Sequence, residues 1–118
     1  MTRFEHVLAV VPVRDIDVSR AWYSALFGRE PDNAPMPTLV EWRVTDAGWV
    51  QVTVDAERAG SALCNLAVAD LDDATRELRE RGLAHEDVVE ANKGVRLCPI
   101  DDPDGNRIHL LGGFRVRY

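Results

Sequence analysis

The pattern of hydrophobic residues in the first half of the chain predicts a strand, a helix and a hairpin. The β-branched run at residues 7–13 is typical of a buried strand, and the apolar spacing over residues 18–27 indicates one face of a helix. Three prolines and an asparagine between residues 31 and 37 predict a loop. Residues 38–45 and 49–54 are predicted to be the two strands of a hairpin, because a short Asp-Ala-Gly turn separates them.

The second half of the chain repeats this order of elements. Its pattern predicts a strand at 63–68, a helix at 73–81, a short strand around 88–90, a strand at 95–100, a turn at 102–105 and a closing strand at 107–111. Glycine ends both predicted helices, at Gly28 and Gly82, since it tolerates the left-handed backbone that often follows a helix.

A short repeated motif indicates that one module has been duplicated. Residues 13–17 and 68–72 share the pattern Val-x-Asp-hydrophobic-Asp at a separation of 55 residues, and the two helix-ending glycines lie 54 residues apart. Each motif joins a strand to a helix and supplies aspartates that can cap that helix. The common period therefore predicts two copies of one module. Two modules together bury sheet surface that one would leave half covered, and they form a cleft.

Composition narrows the class of protein. The chain has 118 residues, of which 46% are hydrophobic and 29% charged, and its formal net charge is −6. These values are typical of a single folded domain. The negative charge argues against a nucleic-acid or anionic-membrane partner, because no basic excess is available to neutralise phosphates. No apolar run has the length of a membrane span, and the N-terminus does not resemble a secretory signal, which predicts a cytoplasmic location.

The sequence contains no motif that indicates zinc binding, redox chemistry, a catalytic serine or phosphate binding. Cys64 and Cys98 lie in apolar runs without a Cys-x-x-Cys spacing, which predicts two buried thiols and no zinc or redox motif. The sequence contains neither a Gly-x-Ser-x-Gly nucleophile motif nor a phosphate-binding glycine loop.

Two stretches of the sequence resemble a known family. Residues 13–28 run from a strand through Val-Arg-Asp into a helix that ends in Trp-Tyr-Ser-Ala-Leu-Phe-Gly, and residues 102–108 read Asp-Pro-Asp-Gly-Asn-Arg-Ile. Together with the repeat, these motifs resemble the vicinal oxygen chelate superfamily of glyoxalases, bleomycin-resistance proteins and extradiol dioxygenases. The resemblance covers nearly the whole chain.

The resemblance implies an α+β fold of two tandem βαβββ modules, whose curved mixed sheets enclose a cavity. It implies a single domain over residues 1–118, with one module at about 3–56 and the other at about 61–116. Proteins of this family are usually dimers, so a homodimer is expected.

The resemblance also places the family's metal ligands, one in the first strand and one in the last strand of each module. In this chain those four positions are Leu8, Gln51, Leu63 and His109. Divalent metals that act on oxygen-containing substrates prefer imidazole and carboxylate ligands. Because leucine cannot bind a metal and only one imidazole is left, these positions predict a protein without a metal.

A shift in register offers a second ligand set. His6 lies two residues before Leu8 and Asn65 two residues after Leu63, so strand alternation places each on the same face as its leucine, about 6–7 Å along the strand. His6 and Asn65 would then join the amide and imidazole of the last strands, namely Gln51 and His109. Such a set would hold a divalent metal such as Zn, Ni, Mn or Fe.

Two functions of different classes remain open. The first is a metal-free protein that binds a small organic molecule between the modules, using Gln51, His109, Trp42, Asn65 and His6. The second is a metal-dependent lyase, isomerase or dioxygenase acting on vicinal oxygens. The catalytic residue is unknown, and His109 is the best candidate, as a general base. Trp42 fits the hydrophobic core as well as the floor of a pocket.

Overall fold

A computed structural model describes residues 1–114, which form the same β-α-β-β-β order twice. The first module contains β1 (Val7–Val13), α1 (Ile16–Phe27), β2 (Asn33–Met36), β3 (Leu39–Thr45) and β4 (Gly48–Val54). The second contains β5 (Leu63–Ala67), α2 (Leu71–Glu80), β6 (Val89–Asn92), β7 (Val95–Asp101) and β8 (Arg107–Gly112). The predicted end of the second module, at residue 116, lies outside the described residues.

Each module builds one four-stranded mixed sheet. The strand order is β1-β4-β3-β2 in the first sheet and β5-β8-β7-β6 in the second. In both, the first and last strands of the module pair in parallel, and the remaining neighbours pair antiparallel. The predicted fold class and the duplication are therefore confirmed, although neither sheet closes on itself within residues 1–114.

The helix ends follow the repeated motif. Asp15 accepts hydrogen bonds from two backbone N–H groups of the first turn of α1, and Asp70 accepts one at the start of α2. Both helices begin about two residues earlier than their apolar spacing predicts. Gly28 and Gly82 adopt the left-handed backbone after the helices, with φ of 74° and 78°.

One predicted element is wrong. The segment 31–37, predicted to be a loop, contains the strand β2. This strand forms the outer edge of its sheet and all four of its residues are exposed, so it has no apolar alternation to reveal it. Its proline, Pro35, is tolerated because an edge strand has one side that needs no hydrogen-bond donor.

The helices cover one face of each sheet, and both modules contribute to one core. Val11 and Val52 in the first module and Ile108 in the second are at most 1% exposed and belong to the same hydrophobic cluster. The packing side of α1 is aromatic: the ring of Phe27 lies 5.2 Å from that of Trp42, which is fully buried. Trp42 is therefore a core residue in this structure.

Asn106 ties the two modules together. Its fully buried Oδ1 accepts hydrogen bonds from the backbone N–H groups of Gly60 (2.9 Å) and Ala62 (3.0 Å), in the segment that connects the modules. Its Nδ2 donates to the carbonyl of Pro12 (2.7 Å) at the end of β1 and to Oδ2 of Asp102 (2.9 Å). One amide side chain thus satisfies buried polar groups of both modules and of the connection between them.

A tyrosine of α1 completes this inter-module network, which we define as Tyr23, Asp102 and Asn106. The Tyr23 hydroxyl donates to Oδ2 of Asp102 at 2.7 Å. Burial, reinforced by the Asp102 carboxylate, raises the pKa of Tyr23 far above its ordinary value. At the rim of the network, Arg14 forms an ion pair with Asp104 at 3.2 Å. The Asp-Pro-Asp-Gly-Asn stretch therefore acts as the joint between the modules.

The described part of the chain shows no helix with the length and apolar character needed to cross a membrane. Cys64 and Cys98 are 8% and 0% exposed, which confirms the predicted burial of both thiols. Burial raises the pKa of both.

Candidate functional site

The face of each sheet that carries no helix is open, and apolar residues are exposed on it. Leu8 and Val10 of β1 are 48% and 53% exposed, and Leu63 of β5 is 60% exposed. On the neighbouring β8, Ile108 and Leu110 are buried on the helix side. Because strand residues alternate between faces, the intervening residues of β8 lie on the open face.

The open face of the second sheet carries an imidazole paired with an amide. His109 of β8 lies directly beside Asn65 of β5, and its Nδ1 is 3.0 Å from Asn65 Oδ1. Since an amide oxygen only accepts hydrogen bonds, this contact assigns the proton to Nδ1. In the neutral imidazole with this tautomer the lone pair is on Nε2, so Nε2 is the atom of His109 that can act as a base or a ligand.

The open face of the first sheet carries a carboxylate that the sequence reasoning missed. Glu41 of β3 lies opposite Gln51 of β4, and Gln51 Nε2 donates to Glu41 Oε2 at 2.8 Å. Asn33 of β2 donates to the other oxygen at 3.3 Å. The register of the β3–β4 hairpin is the signal that would have found Glu41, because pairing across a short turn places residues 41 and 51 side by side.

The sheet register shows which residues of β1 and β5 lie beside Gln51 and His109, and they are not the two leucines that the sequence indicated. The residue of β1 beside Gln51 is Val10, and Leu8 adjoins Trp49 instead. In the second sheet the residue beside His109 is Asn65, two positions after Leu63. Of the shifted ligand set, the structure therefore brings together only Asn65 and His109.

His6 precedes β1 and is exposed at the start of the chain. It shares no hydrogen bond with Gln51 or His109, which lie on different sheets. Among residues 1–114, no three histidine, cysteine, aspartate or glutamate side chains form a group suited to a metal ion. The donors that these residues offer within one chain do not fit the metal site of the family.

A cavity of about 510 Å³ lies between the modules, on the side of the helices. Residues of both modules line it, and most of them are apolar: Val7, Ala9, Leu26, Phe27, Val44, Trp49, Val50, Leu66, Ala67, Val68, Ala74, Leu78 and Leu110. The polar lining residues are Thr45, Asn65, Glu77 and Arg81, and the side chain of Asn65 pairs with His109 on the open face. Of the residues predicted to bind a ligand, this cavity includes only Asn65.

The fold is shared with solved structures of the vicinal oxygen chelate class. A glyoxalase/bleomycin resistance protein from Catenulispora acidiphila DSM 44928 is 32% identical, with a TM-score of 0.85, and the match covers 91% of this chain and 96% of that chain. TnmS3, an antibiotic binding protein from Streptomyces sp. CB03234, is 22% identical, with a TM-score of 0.72 and coverage of 95% and 96%. A lactoylglutathione lyase from Agrobacterium tumefaciens is 18% identical, with a TM-score of 0.74 and coverage of 91% and 92%.

The first of these matches goes beyond a common fold, because it combines 32% identity with nearly complete coverage of both chains. The chain belongs to the glyoxalase/bleomycin resistance protein family. The resemblance inferred from the motifs is thereby confirmed. A scan against protein-family models and a search of curated proteins gave no match.

Proposed function

We propose that this protein binds a small organic molecule in the inter-module cavity, without a metal. The observation that carries the proposal is the cavity itself. Its volume of about 510 Å³ falls within the range of about 300–1,000 Å³ that is typical of small-molecule sites. Apolar walls with a few polar groups are also typical of such sites, since burial supplies affinity and the polar groups fix orientation.

The distribution of donor groups supports binding without a metal. Glu41 and Gln51 lie on one open sheet, and Asn65 and His109 lie on the other, so within residues 1–114 these donors do not gather at one place. Transition metals that activate oxygen substrates need several imidazole or carboxylate ligands around one point. One relative of the same fold, TnmS3, is described as an antibiotic binding protein.

A metal-dependent lyase, isomerase or dioxygenase is the second candidate, and Glu41 is the observation that favours it. Glu41 adds a carboxylate beside Gln51 on the open sheet face. A second copy of the chain that placed this pair against His109 would assemble a carboxylate, an amide and an imidazole. That ligand chemistry suits a divalent metal better than the set predicted from the sequence.

The expected homodimer is part of the proposal, because the open sheet faces leave apolar side chains in solvent. Leu8, Val10 and Leu63 are each about half exposed or more, and burying them against a second copy would be favourable. Sedimentation equilibrium is expected to give a dimer. Leu63→Glu is expected to weaken it by at least about tenfold, since a charge would then be buried at the contact. A wild-type monomer at every concentration would contradict the homodimer.

Ligand binding is tested by a thermal-shift screen of aromatic and antibiotic compounds, followed by calorimetric titration of the hits. Ala9 lines the cavity and lies on the same face of β1 as the buried Val11, so Ala9→Phe is expected to fill space and weaken binding at least tenfold. Ala91→Phe is the matched control, because Ala91 is exposed on β6 and does not line the cavity. Equal affinity in the two variants would contradict the assignment of the cavity.

Metal content of untagged protein, measured by plasma mass spectrometry after loading with Zn, Ni, Mn or Fe(II) and dialysis, separates the two candidate functions. The proposal expects far less than one metal ion per chain. Near-stoichiometric metal that is lost in both His109→Ala and Glu41→Gln would overturn the metal-free function and support the enzyme.

A further inference from the structure

Only one pair of opposite charges lines the inter-module cavity in the described part of the chain. Glu77 and Arg81 of the second module are those charged side chains, and all other lining residues are apolar or neutral. Arg81 Nη2 donates to Glu77 Oε2 at 3.3 Å. The side chains are 31% exposed for Arg81 and 50% exposed for Glu77, so the pair stands at the mouth of the cavity.

Backbone carbonyls of the first module also compensate the positive charge of Arg81. Its Nη1 donates to the backbone carbonyls of Ala25 (3.1 Å) and Leu26 (3.2 Å), in the last turn of α1. A helix C-terminus carries a partial negative charge, which favours a cation placed there. The guanidinium therefore faces a carboxylate on one side and the negative end of a helix dipole on the other. Its positive charge is already compensated by these two partners.

A charged ligand in this cavity would meet no free counter-charge. A carboxylate would lie near Glu77 and the terminal carbonyls of α1, and an ammonium group would lie near Arg81. The other polar lining residues, Thr45 and Asn65, are neutral, so they cannot compensate a charge. Moving an unpaired ion out of water into apolar surroundings is strongly unfavourable.

We propose that the cavity selects uncharged, largely apolar ring compounds, and that the Glu77–Arg81 pair sets this preference. The inference rests on the proposed function, since it specifies the class of ligand for the same cavity. Glu77 acts by balancing Arg81. Without the charge of Glu77, the guanidinium keeps only its carbonyl partners, and the mouth of the cavity becomes positive.

The test uses three probes that share a naphthalene ring and differ in charge at pH 7: 1-naphthol, 1-naphthoate and 1-naphthylmethylammonium. Calorimetric titration of the wild-type protein is expected to show that 1-naphthol binds at least about tenfold more tightly than either charged probe. Equal affinities for the three probes would overturn the inference.

Glu77→Gln then tests the role of the pair. We expect the affinity for 1-naphthoate to rise about tenfold, because the carboxylate can now pair with Arg81, while the affinity for 1-naphthol changes less than about twofold. Glu80→Gln is the matched control: Glu80 is on the same helix, is exposed, pairs weakly with Arg76 at 3.8 Å and does not line the cavity. Glu80→Gln changes the net charge by the same amount as Glu77→Gln. A difference between the two variants therefore reports the contact with Arg81 and not the overall charge of the protein.

The possible failures are distinguishable. Glu77→Gln and Glu80→Gln with the same affinity for 1-naphthoate would refute the role of the pair and leave the proposed function intact. Binding of the probes that Ala9→Phe does not weaken, or no binding of any probe, would contradict the cavity as the binding site, and the inference would fall with it.

Discussion

Asn106→Ala is expected to be among the most destabilising single changes in this protein. The substitution removes an amide that is fully buried and makes four hydrogen bonds. It leaves the N–H groups of Gly60 and Ala62 and the carbonyl of Pro12 without this partner. Each buried polar group left unsatisfied costs about 1–3 kcal/mol, and water entering the vacated space recovers part of that loss.

From these contacts we expect the free energy of unfolding to fall by about 4 kcal/mol. That is a large part of the total for a typical domain, which is about 5–15 kcal/mol. For a chain of 118 residues, the expected loss corresponds to a fall in Tm of about 15 °C. Calorimetry and urea titration measure the two values. Asn33→Ala is the control, since Asn33 is exposed and makes one long contact of 3.3 Å, and it is expected to change stability by less than about 0.5 kcal/mol.

The same variant also tests whether the inter-module network couples the unfolding of the two modules. The three tryptophans, at residues 22, 42 and 49, all lie in the first module, so tryptophan fluorescence follows that module and circular dichroism follows both. In the wild-type protein the two urea transitions are expected to coincide, and in Asn106→Ala they are expected to separate. A loss below 1 kcal/mol together with coincident transitions would show that Asn106 does not hold the two modules together.

Other substitutions and reagents probe single features of the fold. Burial raises the pKa of Tyr23, so the folded protein retains a proton that the unfolded chain loses near pH 10. The free energy of unfolding should therefore fall above about pH 10, and it should fall less steeply in Tyr23→Phe. Urea titrations at pH 8 and 10.5 measure both slopes. An unchanged slope would contradict this. Gly28→Ala and Gly82→Ala both force alanine to a positive φ at about 1 kcal/mol. Gly28→Ala should lose more in calorimetry, because its Cβ would lie 2.7 Å from Arg81 Nη2, whereas Gly82 has open space; equal losses would argue against that contact. Both thiols should react with Ellman's reagent more slowly than free cysteine at pH 8, since burial raises their pKa. Their reaction rate should rise to that of free cysteine when urea unfolds the protein, and rapid reaction in the folded state would show that they are accessible.

The order of elements could be predicted from the sequence because each depends on neighbouring residues. Asp15 and Asp70 cap helices by accepting from N–H groups in the next turn, and glycines end the helices through their own backbone freedom. The strand β2 could not be predicted in this way, since it is held only by pairing with β3 and buries none of its residues.

The candidate site was harder to predict because it depends on contacts between distant parts of the chain. Counting along the sequence assigned Leu8 and Leu63 to the site, whereas the sheet register places Val10 beside Gln51 and Asn65 beside His109. The inter-module cavity depends on how the two modules pack, and residues 94 positions apart, such as Pro12 and Asn106, fix that packing. No local pattern encodes such a contact.

In the described part of the chain, three of the four outer strands are poor templates for another strand. Pro12 lies in β1 and Pro35 in β2, and neither has an N–H group to donate to an added strand; β6 presents Glu90 at the edge of the second sheet. Proline and charge at such positions oppose edge-to-edge association of the kind that builds fibrils. At β1, β2 and β6 the structure therefore opposes polymerisation through strand edges, although both sheets are open.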